Sequence, residues 1–220
     1  ASNSAIIRTA LASATDIALF GRMATSGLMT KVDGAMAVAH AITTHSVEPQ
    51  DIDWFTAVDD LVTEGAGHLN TQQFSAGVFY RYASLNIAQL QKNLGDVSRE
   101  KALEIAKHLF HMLATVVPSA KQQSFAAHNV SDFSIVSFGD QPISLANAFE
   151  ERVEANRSGG YLAPSISRLA DYWCRMNTAY ALNELAVAFD PVAGATHGDL
   201  QIKHKLREIE NWIAGDETSK

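Results

Sequence analysis

Glu104, His108 and His111 stand at the spacing of one helix face, an arrangement in which a carboxylate and two imidazoles can converge on a divalent metal. Closing a metal shell takes a ligand from a further segment, and none is evident, so a surface histidine pair is the stronger reading. His40 and His45 are five residues apart in a run that alternates like a strand, which points them to opposite faces and prevents joint chelation. Asp59 and Asp60 are adjacent carboxylates that attract magnesium in some settings and are merely solvated in others. Neither a glycine-lysine phosphate loop nor a nucleophile-elbow serine is present. The enzymatic reading therefore reduces to a metal-dependent nuclease or hydrolase built on these few acids and histidines.

Residues 47–80 (VEPQDIDWFTAVDDLVTEGAGHLNTQQFSAGVFY) suggest a different chemistry. They separate two strand-like runs by more chain than a compact domain spends on a connection, and they carry Trp54, Phe55 and Val58 near their centre. Apolar side chains on a long loop need a satellite core or a partner to cover them, and flat, stackable faces such as nucleobases suit them. Upstream, Arg22, Thr25 and Ser26 put one cation and two hydroxyls beside Gly27, a combination that suits a phosphate approached closely by backbone.

With 220 residues, 47% hydrophobic and 19% charged, the chain is long enough for one domain with an elaborate insertion or for two small ones, and one is the better reading. The formal net charge of -7 disfavours a generic nucleic-acid binder, because affinity for a phosphate chain comes largely from clustered lysine and arginine. A single cysteine, Cys174, forms no internal disulfide and fits a reducing cytoplasm. No long apolar span or leader is visible, so no membrane association is expected. The chain starts at Ala1 without methionine, which suggests a processed, trimmed or truncated product.

The elements that must position these residues are mixed. Residues 16–23 (DIALFGRM) read as a buried strand running into a tight loop; 35–47 alternate as a strand with an alanine face; 78–87 and 132–138 read as further strands. Ser98 caps a helix with Ala102, Ile105, Ala106, Leu109, Leu113 and Val116 on one face, ended by Pro118. A second helix runs from about Ser165 towards Phe189 and Pro191, and a third from near Asp199 to Gly215. Residues 156–160 (NRSGG) read as a mobile turn. Strands and helices do not alternate regularly, so the expected class is α+β.

The segments 16–27 (DIALFGRMATSG), 32–44 (VDGAMAVAHAITT), 52–61 (IDWFTAVDDL), 68–82 and 144–150 (SLANAFE) occur in an order that closely resembles the backbone subunit of the type I-E CRISPR Cascade complex, the CasC family. The resemblance runs from about Ile6 to Trp212. It implies an RRM-like (ferredoxin-like) palm with peripheral helices, a helical fingers insertion and a long thumb loop, here roughly 47–77 within one palm-type domain of residues 1–220. It also implies a non-catalytic subunit that needs no cofactor. Copies form a helical filament on a CRISPR guide RNA with other Cascade subunits, and meet target DNA through the guide. Apolar side chains on a projection can wedge between bases with little regard to sequence, as suits a protein that leaves target reading to base pairing.

Residue by residue, the resemblance makes Met23 an apolar contact to a base on the palm side. Phe55, Thr56 and Val58 become the thumb tip with Trp54 beside them, His68 and Gln72 the returning limb, and Lys121, Gln122 and Gln123 a polar stretch near the RNA. Plainer uses exist for each. Met23 at a strand end is ordinarily core packing, Trp54 and Phe55 can pin a loop onto its own domain, Arg22 can pair with Asp33, and Lys121 can be solvated. Family members are longer at the front. A chain without the first palm strand, much of the fingers and a set of basic residues is expected to expose a sheet edge, to self-associate, and to bind RNA weakly on its own.

Overall fold

The computed structural model describes residues 14–23, 31–60, 63–120, 122–182 and 184–215, with 54–60, 63–70, 72 and 124 described by their backbone. In chain order the elements are α1 (Thr15–Phe20), β1 (Met36–Val38), β2 (Ile42–Thr43), β3 (Gln50–Asp60), β4 (Thr63–Phe74), β5 (Phe79–Tyr80), β6 (Ala83–Leu85), α2 (Ile87–Asn93), α3 (Arg99–Thr115), α4 (Gln122–Phe125), β7 (Ser134–Phe138), a 3-10 turn (Ala146–Phe149), α5 (Leu162–Ala179), β8 (Leu185–Phe189), β9 (Gln201–Lys203) and α6 (Leu206–Ala214). This is a mixed α and β structure with small sheets, antiparallel except where β9 joins β8 in parallel. The chain divides into two compact units: Ala1–His40 with Tyr82–Leu145 and Ala170–Lys220, and Ala41–Arg81 with Ala146–Leu169.

In the first unit, DIALF is helix α1 and not the expected strand. A run this short carries no periodicity that separates the two, and its end decides. Gly21 takes φ +78, a conformation that favours glycine, and donates its N–H to the Ile17 carbonyl, so the helix stops there. Gly34 then passes the helix end so closely that a Cβ there would lie 2.8 Å from the Leu19 carbonyl oxygen, and Ala35 donates to the Ala18 carbonyl at 3.2 Å. From that point β1 pairs antiparallel with β6, Met36 opposite Leu85. The Asn86 side chain caps α2 by accepting the Gln89 N–H at 2.9 Å, and Ser98 caps α3 as expected. Helix α3 serves two cores. Its Ala102 and Leu109 bury with Ala18, Leu19, Ala35 and Leu90, while Ala106 and Phe110 pack against Val187, Ile209, Trp212 and Ile213.

The second of these cores rests on a three-stranded sheet in the order β7-β8-β9. Strand β7 was expected, but β8 was not: the helix expected to reach Phe189 stops at Ala179, and LAVAF forms the central strand. A strand covered on both faces is a continuous apolar run, which resembles a helix continuation. Likewise β9 occupies Gln201–Lys203, so the last helix starts at Leu206 and not near Asp199.

The second unit holds two antiparallel pairs, β2 with β5 and β3 with β4. The expected strands 35–47 and 78–87 are each shared between the units, as β1 and β2 and as β5 and β6. Among the described residues no helix is long and apolar enough to cross a membrane.

Candidate nucleic-acid interface

The stretch expected to be a long loop is a β-hairpin. Strands β3 and β4, 11 and 12 residues long, pair from Gln50↔Phe74 to Asp60↔Thr63, with one register shift between Thr56 and Ala57. No described strand outside the hairpin joins them. The hairpin hides well in sequence because polar and small residues sit throughout it. Yet Thr71 donates from Oγ1 to Asp53 Oδ1 at 2.7 Å between directly paired positions, the cross-strand contact that stabilises such a ribbon.

The register sets the expected tip residues along β3 opposite the returning limb, with the last pair of the ribbon further on at Asp60↔Thr63. Trp54 pairs with Asn70, Phe55 with Leu69, Thr56 with His68 and Val58 with Gly65, while Gln72 lies opposite Ile52. Near the root, Ile52 is 41% exposed, a branched apolar side chain left to solvent.

The second expected patch lies in the other unit. Arg22 and Met23 follow Gly21, and Arg22 forms an antiparallel backbone bridge to Val32. Met23 is 84% exposed, so it is not the core residue that its type suggests. Asp33, the alternative partner weighed for Arg22, is held by Lys31 at 2.8 Å, and the Lys31 ammonium keeps its carboxyl below the usual carboxylate range. Thr25, Ser26 and Lys121 lie outside the described residues. Gln122 opens α4 half-buried and donates from Nε2 to the Pro118 carbonyl at 2.8 Å, and Gln123 is exposed.

The candidate metal residues disperse. Glu104 pairs with Lys107 at 3.2 Å, and His111 Nδ1 binds Glu210 of α6 at 2.8 Å. Among the described residues no group of three or more histidine, cysteine or acidic side chains is placed to hold a metal ion. His40 and His45 do not share a strand, since β2 ends at Thr43. His40 is exposed and His45 is buried.

Sequence reasoning missed the root of the hairpin. His45 is 8% exposed and stacks on Tyr161, ring centroids 3.7 Å apart and planes 9° from parallel. Its Nδ1 donates to the Ser46 carbonyl at 2.7 Å, and its Nε2 accepts the Val78 N–H at 3.1 Å. Beside it, Ser165 Oγ donates to the Tyr161 carbonyl at 2.6 Å, which leaves Thr44 Oγ1 to donate to Ser165 Oγ at 2.8 Å. No periodicity signals this cluster, because its members meet across more than a hundred residues of chain.

Residues 2–212 match the model of the family described as "CT1975-like protein". Two solved structures are similar over most of the chain. One, "CRISPR RNA-guided surveillance complex, pre-nicking", has a chain 29% identical with a TM-score of 0.79, covering 92% of this chain and 55% of its own length. The other, "CRISPR RNA-guided surveillance complex", is 27% identical with a TM-score of 0.81, covering 96% of this chain and 81% of its own. This chain thus spans little more than half the length of the first. No curated protein matches it.

Proposed function

This chain belongs to the CT1975-like protein family, and from that membership we propose that it is a non-catalytic, guide-RNA-binding backbone subunit of a CRISPR RNA-guided antiviral surveillance complex of the Cascade type, subtype I-E. The observation that carries the reading is the hairpin. It is a ribbon without a further strand partner among the described residues, on a chain covered almost completely by chains of surveillance complexes.

In this reading the sheets and helices of the first unit are the RRM-like palm, within one palm-type domain, and the hairpin within residues 47–77 is the thumb. The palm loop of Arg22, Met23, Thr25 and Ser26 meets the RNA backbone and a base, with Lys121 and Gln122 near the same strand. The hairpin, through Trp54, Phe55, Thr56 and Val58 with His68 and Gln72 on its returning limb, lies over RNA held by a neighbouring copy. Copies form a cytoplasmic helical filament with the other subunits of the complex, and target DNA is met through the guide.

Phosphate holding and base wedging fall to different parts of the chain. Residues 47–77 contain Glu48, Asp51, Asp53, Asp59, Asp60 and Glu64 and neither lysine nor arginine, so the hairpin's contribution is contact with bases and not charge. The alternative, a metal-dependent hydrolase, loses its best arrangement because Glu104 and His111 have separate partners.

The test is co-expression with a guide RNA and the companion subunits. Co-purification of RNA with an elevated ultraviolet absorbance ratio supports the reading. Nucleic-acid-free protein, or RNA cleavage with magnesium, manganese or zinc that is lost on substitution of His111 or Asp59, overturns it.

A further inference from the structure

We propose that His45 is the positioning residue that orients the hairpin, and that it acts only as the neutral imidazole protonated on Nδ1, so that adding a proton loosens the hairpin's root.

Both legs of the hairpin meet at this ring. The outgoing leg contains His45 itself. The returning leg contains Val78, whose N–H donates to Nε2 while its carbonyl accepts the Thr44 N–H at 3.0 Å. Val153 donates to the Thr44 carbonyl at 2.9 Å, and the Thr44–Ser165 hydroxyl pair ties the same step to the start of α5. The ring therefore joins both legs to Tyr161, while Thr44 beside it holds Ser165, all within one compact unit. Gly77 packs against the ring: a Cβ there would lie in ordinary contact with Nε2 at 3.6 Å and tightly against Val47 Cγ2 at 3.1 Å.

The partners fix the tautomer. A backbone N–H can only donate and a carbonyl can only accept, so Nε2 holds a lone pair and Nδ1 holds the proton. An imidazolium would set an N–H against the Val78 N–H and leave a half-buried backbone donor without its acceptor. The titratable and charged groups around the ring are Tyr161, stacked on it, and Glu48, Arg152 and Glu154, which line the adjoining cavity of about 480 Å³. Arg152 and Glu154 are exposed and paired at 2.9 Å.

Only the consequence for RNA rests on the function proposed above; the hydrogen-bond switch does not. The experiment measures the amide-exchange protection factor at Val78 across about pH 8 to 5, in the wild type and in His45→Gln, whose carbonyl oxygen can accept the same N–H without titrating. Protection in the wild type is expected to fall about tenfold on acidification and to stay level in the variant. A fall in both, or in neither, overturns the proposal. Should the variant fail to fold, imidazole ¹⁵N shifts of the wild type decide: an Nδ1–H signal at neutral pH converting to imidazolium as protection falls supports it, and an Nε2–H signal overturns it. Guide-RNA affinity is followed in parallel. Its absence at every pH counts against the RNA reading alone, because protection at Val78 is read without RNA.

Discussion

His197 Nε2 lies 2.7 Å from Oδ2 of Asp190, a carboxylate only 4% exposed. The other oxygen, Oδ1, accepts the Val192 N–H at 2.8 Å, and the Asp190 carbonyl accepts from His204 Nδ1 at 2.8 Å. One residue thus closes the connection from β8 to β9. Asp190→Ala leaves a half-buried imidazole and a backbone donor without their acceptor and is expected to cost about 2 kcal/mol. Urea denaturation checks this, and a loss of under about 1 kcal/mol contradicts the network.

Met23 and Gly21 are neighbours with opposite expectations. Met23→Ala removes a side chain 84% exposed and is expected to change stability by less than about 0.5 kcal/mol while weakening RNA binding. Gly21→Ala puts a Cβ 2.6 Å from the Val32 carbonyl oxygen at φ +78 and is expected to cost roughly 2 kcal/mol. Thermal melts with parallel RNA titrations separate a contact residue from a scaffold residue.

How much of this was legible in sequence depended on whether a local signal existed. Ser98, Pro118 and the apolar face between them placed α3, because caps and a 3.6-residue period are local. Residues 185–189 had no such mark, since LAVAF on a central strand and LAVAF continuing a helix read alike. The hairpin was found as an anomaly of length, but its register depends on cross-strand pairs such as Asp53 and Thr71, which no one-strand pattern shows. Of the candidate site, the family resemblance pointed to Met23 and Phe55, whereas His45 was weighed only as a metal ligand. Its partners Val78 and Tyr161 are distant in sequence.

Tyr82 sets an alkaline limit. Burial raises its phenol above the ordinary value, the hydrogen bond with Ser84 opposes this, and the nearby Glu184 charge adds to it. A raised folded-state value means that its stability term is intact below the unfolded value, about 10, and is lost as pH climbs through the folded one. Tyr82→Phe is therefore expected to flatten the decline in melting temperature above about pH 10. An unchanged decline contradicts this assignment.

The hairpin carries neither lysine nor arginine between residues 47 and 77, so substituting Phe55 should not alter counterion release. Phe55→Ala is expected to weaken guide-RNA binding while leaving the slope of log affinity against log salt within about 0.7, the change for one phosphate contact on a single strand. A steeper change would assign phosphate contacts to the ribbon.

In the proposed function the hairpin displaces bases of a guide held by an adjacent copy. The most direct measurement is nucleotide-resolution chemical probing of the guide RNA in the assembled complex, with the wild type and with Phe55→Ala plus Val58→Ala. Reactive nucleotides are expected at a regular interval along the wild-type guide, with loss of that pattern in the variant while RNA stays bound. An identical pattern in both would contradict it.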